Sequence, residues 1–167
     1  MRVFYDILRA LDANHVRYVL VGGVAVVLHG FARFTKDLDL VVDLHPEEAR
    51  RAIQTLLDCG LRARVPVNPL DFADAETRRR WADEKNMVVF QMIDESDLRR
   101  NVDLFISHPI DFERLWESSQ VVQLEGVAIR VASIDHLIEL KKSVARPQDL
   151  LDIEQLERLK KANNADR

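Results

Sequence analysis

The chain has 167 residues, 47% apolar and 31% charged, a composition that excludes a disordered chain and suits one domain with a core of its own. Its 24 basic and 28 acidic side chains leave a net charge of −4, which excludes a uniformly basic nucleic-acid coat but not a local basic patch. A single cysteine, Cys59, excludes an intrachain disulfide and suits a reducing cytoplasm. No apolar run approaches the ~18 residues of a membrane span, and the N-terminus lacks a signal-peptide core, so a cytoplasmic location is expected.

In chain order, Val3, Phe4, Ile7, Leu8 and Leu11 have helical spacing and predict a helix over 2–13. Asn14 and His15 break it, with His15 a surface turn residue. Tyr18 to Val21 is a continuous apolar run, the pattern of a strand covered on both faces. Gly22 and Gly23 then turn the chain into a short apolar helix ending near Leu28. Such a turn presents unpaired N–H groups at the positive end of a helix dipole, which suits phosphate. His29, beside Gly30 at the helix end, is expected to be structural, with a nucleotide contact as the alternative. A second strand opens with Asp37 and Asp39. Alternation puts both carboxylates on one face, with Leu38, Leu40 and Val42 on the other. Two hard oxygen ligands placed so fit Mg²⁺, and two solvated aspartates at a strand mouth are the competing reading. The glycine turn upstream favours the metal.

Pro46, Glu47 and Glu48 read as the start of a helix that buries Ala49, Ala52, Ile53, Leu56 and Leu57 and stops at Gly60. Cys59 is expected to be a small core residue there. A strand over 61–67 is interrupted by Pro66 and Pro69, and 71–85 is expected to be helical. Arg78, Arg79 and Arg80 spread around most of a turn. They read as a solvated face, or as one or two contacts, with Lys85, to triphosphate or an RNA backbone. Met87 to Ile93 and Asn101 to Ser107 read as strands. In the second, Asp103 points away from Val102, Leu104 and Ile106, and an aspartate in so apolar a run needs a partner. The residues alone leave open a core salt bridge or a catalytic role. A short helix at Phe112, Leu115 and Trp116 precedes a hairpin turning at Glu125-Gly126. Ser133 is a helix N-cap, and Ile134, Leu137, Leu140 and Val144 form the following apolar stripe, with Lys141 inside its arc. A last helix over 149–161 has its stripe at Leu150, Ile153, Leu156 and Leu159, before a tail over 162–167 that is expected to fray.

Gly22-Gly23, Arg33, Thr35, Asp37 and Asp39 together resemble the signature of the polymerase-β-like nucleotidyltransferases, and most nearly their minimal stand-alone members of the AbiEii type from type IV toxin–antitoxin systems. The resemblance spans about Tyr18 to Leu156. It implies an α/β (α+β) fold, a small mixed sheet flanked by helices, as one domain over 1–167 with a helical C-terminal segment from about 133. It also implies transfer of a nucleoside monophosphate from an NTP to a hydroxyl, with release of pyrophosphate. Asp37, Asp39 and Asp103 would hold two Mg²⁺ ions, with Mn²⁺ able to substitute, and Asp103 would act as general base. Gly22, Gly23, Arg33, Thr35 and Lys141 would hold the nucleotide, ATP or another NTP. Arg146, Asp149 and Asp152 are expected to be structural ion pairs. The acceptor could be an RNA end such as that of a tRNA, a protein or a small molecule, and a cognate toxin or antitoxin partner is implied. The chain departs from the best-known pattern in having Gly-Gly where Gly-Ser is usual. A catalytically silent nucleotide- or partner-binding module is the competing function, and a two-metal nuclease would not need the glycine turn. The glycines match neither G-x-x-x-x-G-K-[ST] nor G-x-G-x-x-G, and no Cys/His spacing points to zinc.

Overall fold

The apolar runs around the glycine pair become the centre of a sheet: β1 (Tyr18–Val21) and β2 (Asp37–Val42) lie antiparallel, Val21 opposite Asp39. The chain, a computed structural model, is described for residues 2–144 and 146–165. Residue 145, the last two positions of the expected frayed tail and the side chain of the stripe position Val144 lie outside the described parts. Over 162–165 the tail continues the last helix. β5 (Asn101–Phe105) runs parallel to β2 on its other side, with Asp103 opposite Asp39. β4 (Val89–Ile93) pairs antiparallel with β5, and the two-residue β3 (Arg62–Ala63) closes that edge. On the opposite side β7 (Val127–Val131) joins β1 in parallel and forms a hairpin with the edge strand β6 (Gln120–Leu124). The order is β3-β4-β5-β2-β1-β7-β6, a mixed seven-stranded sheet.

Seven α-helices are described: α1 (Tyr5–Ala13), α2 (Gly22–Leu28), α3 (Pro46–Asp58), α4 (Ala75–Lys85), α5 (Phe112–Glu117), α6 (Ile134–Val144) and α7 (Pro147–Ala165). No described helix is long and apolar enough to cross a membrane. The side chains alternate as the pleat requires. Leu38, Leu40, Val102, Leu104, Phe90 and Met92 are fully buried on one face. There Phe90 stacks on Trp81 of α4 at 5.2 Å and meets Phe72 at 5.5 Å. Each such side chain contributes roughly 1.5–3 kcal/mol by leaving water. On the opposite face Val89, Gln91 and Ile93 of β4 and Asn101, Asp103 and Phe105 of β5 stay half-buried.

Several expectations need correction. Residues 61–67 supply only the two strand residues of β3. The expected helix over 71–85 is broken: Pro69–Ala73 is a 3-10 turn, and Asp74 caps α4 by accepting the Thr77 N–H at 2.7 Å. An aspartate competes for backbone donors, which is why it ends one element and starts the next. Arg78 is not part of a solvated face, because it is buried and donates to the carbonyl of Phe72 at 2.6 Å. Cys59 follows α3 and is only half-buried. In α7 Leu150 is exposed, and the inward positions belong to Asp149, Asp152, Ile153 and Leu156.

One ion pair ties the far end of the sheet. Asp43, 2% exposed, follows β2 and accepts from Arg17 Nη1 at 2.5 Å, the His45 N–H at 3.0 Å and His45 Nδ1 at 2.6 Å. Arg17 reaches on to Glu113 of α5 at 2.9 Å. Burial pushes the Asp43 carboxyl up, but the His45 hydrogen bonds and the His45 and Arg17 charges outweigh it and hold it below its ordinary 3.8. A carboxyl lowered by folding contributes stability above its unfolded value and loses it as pH falls through that value towards the folded one. Asp43→Ala is therefore expected to cost about 2–3 kcal/mol at neutral pH. The same variant should show a smaller further loss than wild type on acidification from pH 5 to pH 3, as read by urea unfolding at each pH.

Candidate active site

The eight site residues expected from the sequence come from five segments and line one cleft. Gly22 and Gly23 open α2, Arg33 and Thr35 lie in the connection to β2, Asp37 and Asp39 begin β2, Asp103 is central in β5, and Lys141 is on α6. The cleft has a volume of about 480 Å³. The strand pairing explains the convergence. β2 and β5 are parallel and in register, so Asp39 and Asp103 are direct neighbours, with Asp37 one pleat along the same face.

The two glycines are required by what stands next to them. Gly22 has φ +65°, and a Cβ there would sit 2.0 Å from Asp39 Oδ2 and 2.9 Å from Asp39 Cβ. The Asp39 side chain thus occupies the space left by the missing Cβ, and the nearby Gly23 N–H favours its charged form. A Cβ on Gly23 would meet Thr35 Oγ1 at 2.6 Å and Arg33 Cζ at 3.3 Å. The Thr35 hydroxyl thus stands close beside the Gly23 Cα, in the space that a side chain at 23 would need.

Burial, then the neighbouring Asp103 and Asp37, push the Asp39 carboxyl up to about 7, against the Gly23 N–H and the charge of Lys141. Burial also raises Asp103, with Asp37 adding to it, while the hydrogen bond from Gln91 and the charge of Arg64 oppose the rise. Asp39 and Asp103, whose charge their neighbours disfavour, and Asp37, beside a turn that admits no side chain, offer hard oxygens of the kind a divalent cation takes. Among the described residues no group of three or more His, Cys, Asp or Glu side chains is placed to hold a metal ion by itself. A Mg²⁺ site built from one or two carboxylates, substrate phosphate and water needs none.

Cations line the cleft as well. Lys141, 7% exposed, donates to Asp152 Oδ2 at 2.6 Å and to Asp149 Oδ1 at 3.4 Å. An ammonium has three donors, so one N–H remains for the cleft. Asp152 is fully buried and also pairs with Arg33, while Gln148 donates to its other oxygen at 3.1 Å. Arg146 pairs with Asp149 at 2.8 Å. Asp152 thus ties the connection before β2 to α6 and α7. Asp152→Ala is expected to strand Arg33, leave the buried Lys141 with Asp149 alone, and cost about 3–5 kcal/mol. Urea midpoints with an unchanged slope would register that loss.

Other residues take places the sequence did not disclose. Phe34, 79% exposed, and Lys36 stand on the cleft rim, and Phe105 lines it from β5. Gln91, on β4, donates from Nε2 to Asp103 Oδ1 at 2.8 Å. The one sequence signal for these was alternation in the strands; the strand order that makes Gln91 a neighbour of Asp103 was not readable. His29 contacts the carbonyl of Ala132 at 2.8 Å and lies outside the cleft lining, as do Arg79 and Arg80.

Comparison with known proteins gives one family match: the model described as "Nucleotidyl transferase AbiEii toxin, Type IV TA system" matches residues 4–167. No match was found among curated protein sequences. Among solved structures, the lincosamide antibiotic adenylyltransferase LnuA with lincomycin bound superimposes with a TM-score of 0.64 at 19% identity, covering 95% of this chain and 96% of that one. ANT(2")-Ia in complex with adenylyl-2"-tobramycin gives 0.57 at 14% identity, with 98% and 96% covered. An antigenic nucleotidyltransferase-like protein from Paracoccidioides brasiliensis gives 0.57 at 15%, with 92% and 72% covered. At these identities the likeness is one of fold.

Proposed function

We propose, from the premise that this chain belongs to the AbiEii nucleotidyltransferase family, that its cleft transfers a nucleoside monophosphate from an NTP to a hydroxyl acceptor with the help of divalent metal. The observation that carries this reading is the meeting of Asp37, Asp39 and Asp103 with the Gly22-Gly23 turn in one cleft.

Asp37, Asp39 and Asp103 are the residues that would hold Mg²⁺. Bound there, the ions would neutralise the triphosphate and the leaving pyrophosphate and favour the ionised acceptor oxygen. The chain's own groups supply positioning. The Thr35 hydroxyl, the Arg33 guanidinium and the Lys141 ammonium, which line the same cleft, would hold the donor phosphates. Arg33 is held by Asp152, so its fork meets phosphate with little entropy left to lose. Asp103 takes the proton of the acceptor hydroxyl. As that oxygen bonds to the α-phosphorus, the bond from the α-phosphorus to the bridging oxygen breaks, and pyrophosphate leaves. Phe34, an exposed ring on the cleft rim, offers a stacking surface to a planar group of donor or acceptor. The reading makes the protein a cytoplasmic consumer of NTP, with an RNA end, a protein or a small molecule as acceptor and a cognate antitoxin as its regulator.

The test is label transfer. The protein is incubated with Mg²⁺, a cell extract, and each NTP labelled in turn at the α- or the γ-phosphate. Label from the α position alone, appearing in an RNA, protein or small-molecule fraction, is the expected result and names the acceptor class. Transfer of γ-label would indicate a kinase and overturn the reading. No transfer with any NTP would favour a silent binding module.

A further inference from the structure

We propose that Gln91 and Arg64 form a positioning pair that fixes the Asp103 carboxylate for metal binding and proton abstraction; this rests on the role given to Asp103 above. The pair follows from the sheet. Gln91 of β4 is the direct cross-strand partner of Asp103, and Asp103 that of Asp39. Beyond β3 the Arg64 N–H donates to the Gln91 carbonyl at 3.0 Å, so the row runs Arg64, Gln91, Asp103, Asp39 across four neighbouring segments. On the half-buried face, opposite the apolar core, the side chains form a chain of the same order. Arg64 Nη1 donates to Gln91 Oε1 at 2.5 Å, and Gln91 Nε2 donates to Asp103 Oδ1 at 2.8 Å.

The order of donors and acceptors matters. A guanidinium only donates, so Arg64 obliges the Gln91 oxygen to face it and the Gln91 NH₂ to face Asp103. A flipped amide would set two oxygens against each other. With Oδ1 held from the β4 side, Asp103 has one rotamer, and its second oxygen is left for a metal ion or an acceptor hydroxyl. Neither Gln91 nor Arg64 lines the cleft, so both act through Asp103. Groups that orient a metal-binding carboxylate typically contribute 10–100-fold in affinity or activity.

The test compares Gln91→Met, Arg64→Met, Arg64→Lys, the double Met variant and Asp103→Asn in two assays. One is Mn²⁺ titration followed by electron paramagnetic resonance with a non-hydrolysable NTP present. The other is the rate of label transfer into the fraction the wild type labels. Gln91→Met is expected to weaken Mn²⁺ binding and lower kcat by about tenfold or more, with KM for NTP within about twofold. Arg64→Met should lose less, Arg64→Lys should keep most of the wild-type kcat because it still donates to Gln91, and Arg64→Met should add nothing in the Gln91→Met background. Arg64 is exposed, so its variants remain informative even where Gln91→Met folds poorly. Both single Met variants within twofold of wild type, or additive losses in the double variant, would overturn the pair while Asp103→Asn still lost binding and turnover. An Asp103→Asn protein as good as wild type would instead overturn the role of Asp103.

Discussion

Asp39→Asn is expected to lower turnover by about 10³-fold and, in the metal-free protein at pH 8, to raise stability by about 1–3 kcal/mol. Loss of function and gain of stability have one cause. Asp39 stands beside Asp103 and Asp37 with the backbone of a glycine turn packed against it. The folded chain bears the cost of that charge whenever no cation compensates it. Asparagine keeps the shape, so the fold has no reason to change, and its amide no longer repels Asp103. What it cannot do is donate an anionic oxygen to a divalent ion. Thermal scans in EDTA and again in excess Mg²⁺ separate the effects. The variant should melt several degrees above wild type in EDTA and should gain less than wild type from Mg²⁺. A variant that melts below wild type in EDTA would mean that the carboxylate is structural.

Gly22→Ala carries the second large effect. The residue has φ +65°, which costs an alanine about 1–2 kcal/mol, and here space is lacking as well. The new methyl would lie 2.0, 2.6 and 2.9 Å from three successive atoms of Asp39. The carboxylate alone could swing away, but Asp39 Cβ is fixed by the strand, so β2 and the turn must separate. A displacement near 1 Å at the reacting groups costs about 10²-fold, and that loss in kcat is expected along with roughly 2–3 kcal/mol of stability. Gly60→Ala is the control. Its φ of +87° imposes similar backbone strain, but nothing lies within 4 Å of the added methyl. It should cost only about 1–2 kcal/mol and leave kcat unchanged. Equal losses in the two variants would show that backbone strain, not contact with Asp39, explains the effect at Gly22.

That the candidate residues would share a cleft was legible in the sequence where local geometry decides position. Strand alternation put Asp37 and Asp39 on one face, and the continuous apolar run before Gly22 marked the strand that leads into the turn. Asp103 announced itself as a charge in a buried strand. What eluded the sequence depends on contacts between distant segments. Arg78 looked like one of three solvated arginines, yet it is drawn inward by carbonyls of Phe72 and Leu44, 6 and 34 residues away in sequence. In α7 the hydrophobic spacing pointed Leu150 inward. Instead Asp149 and Asp152 face the core and make, with Lys141, Arg146 and Arg33, the ion pairs that the resemblance had led one to expect but that the spacing did not place. Apolar periodicity cannot anticipate a buried face built of ion pairs. Gln91 was hidden for a third reason: its partner is set by the order of strands, which follows from packing of the whole sheet.

The most direct measurement is calorimetric titration of the protein with a non-hydrolysable NTP, with and without Mg²⁺, in the wild type and in Asp37→Asn/Asp39→Asn. Binding in the range of about 1 μM to 1 mM, dependent on Mg²⁺ and lost in the double variant, is the predicted result. Affinity that survives EDTA, or that survives removal of both carboxylates, would contradict a metal–nucleotide site in this cleft.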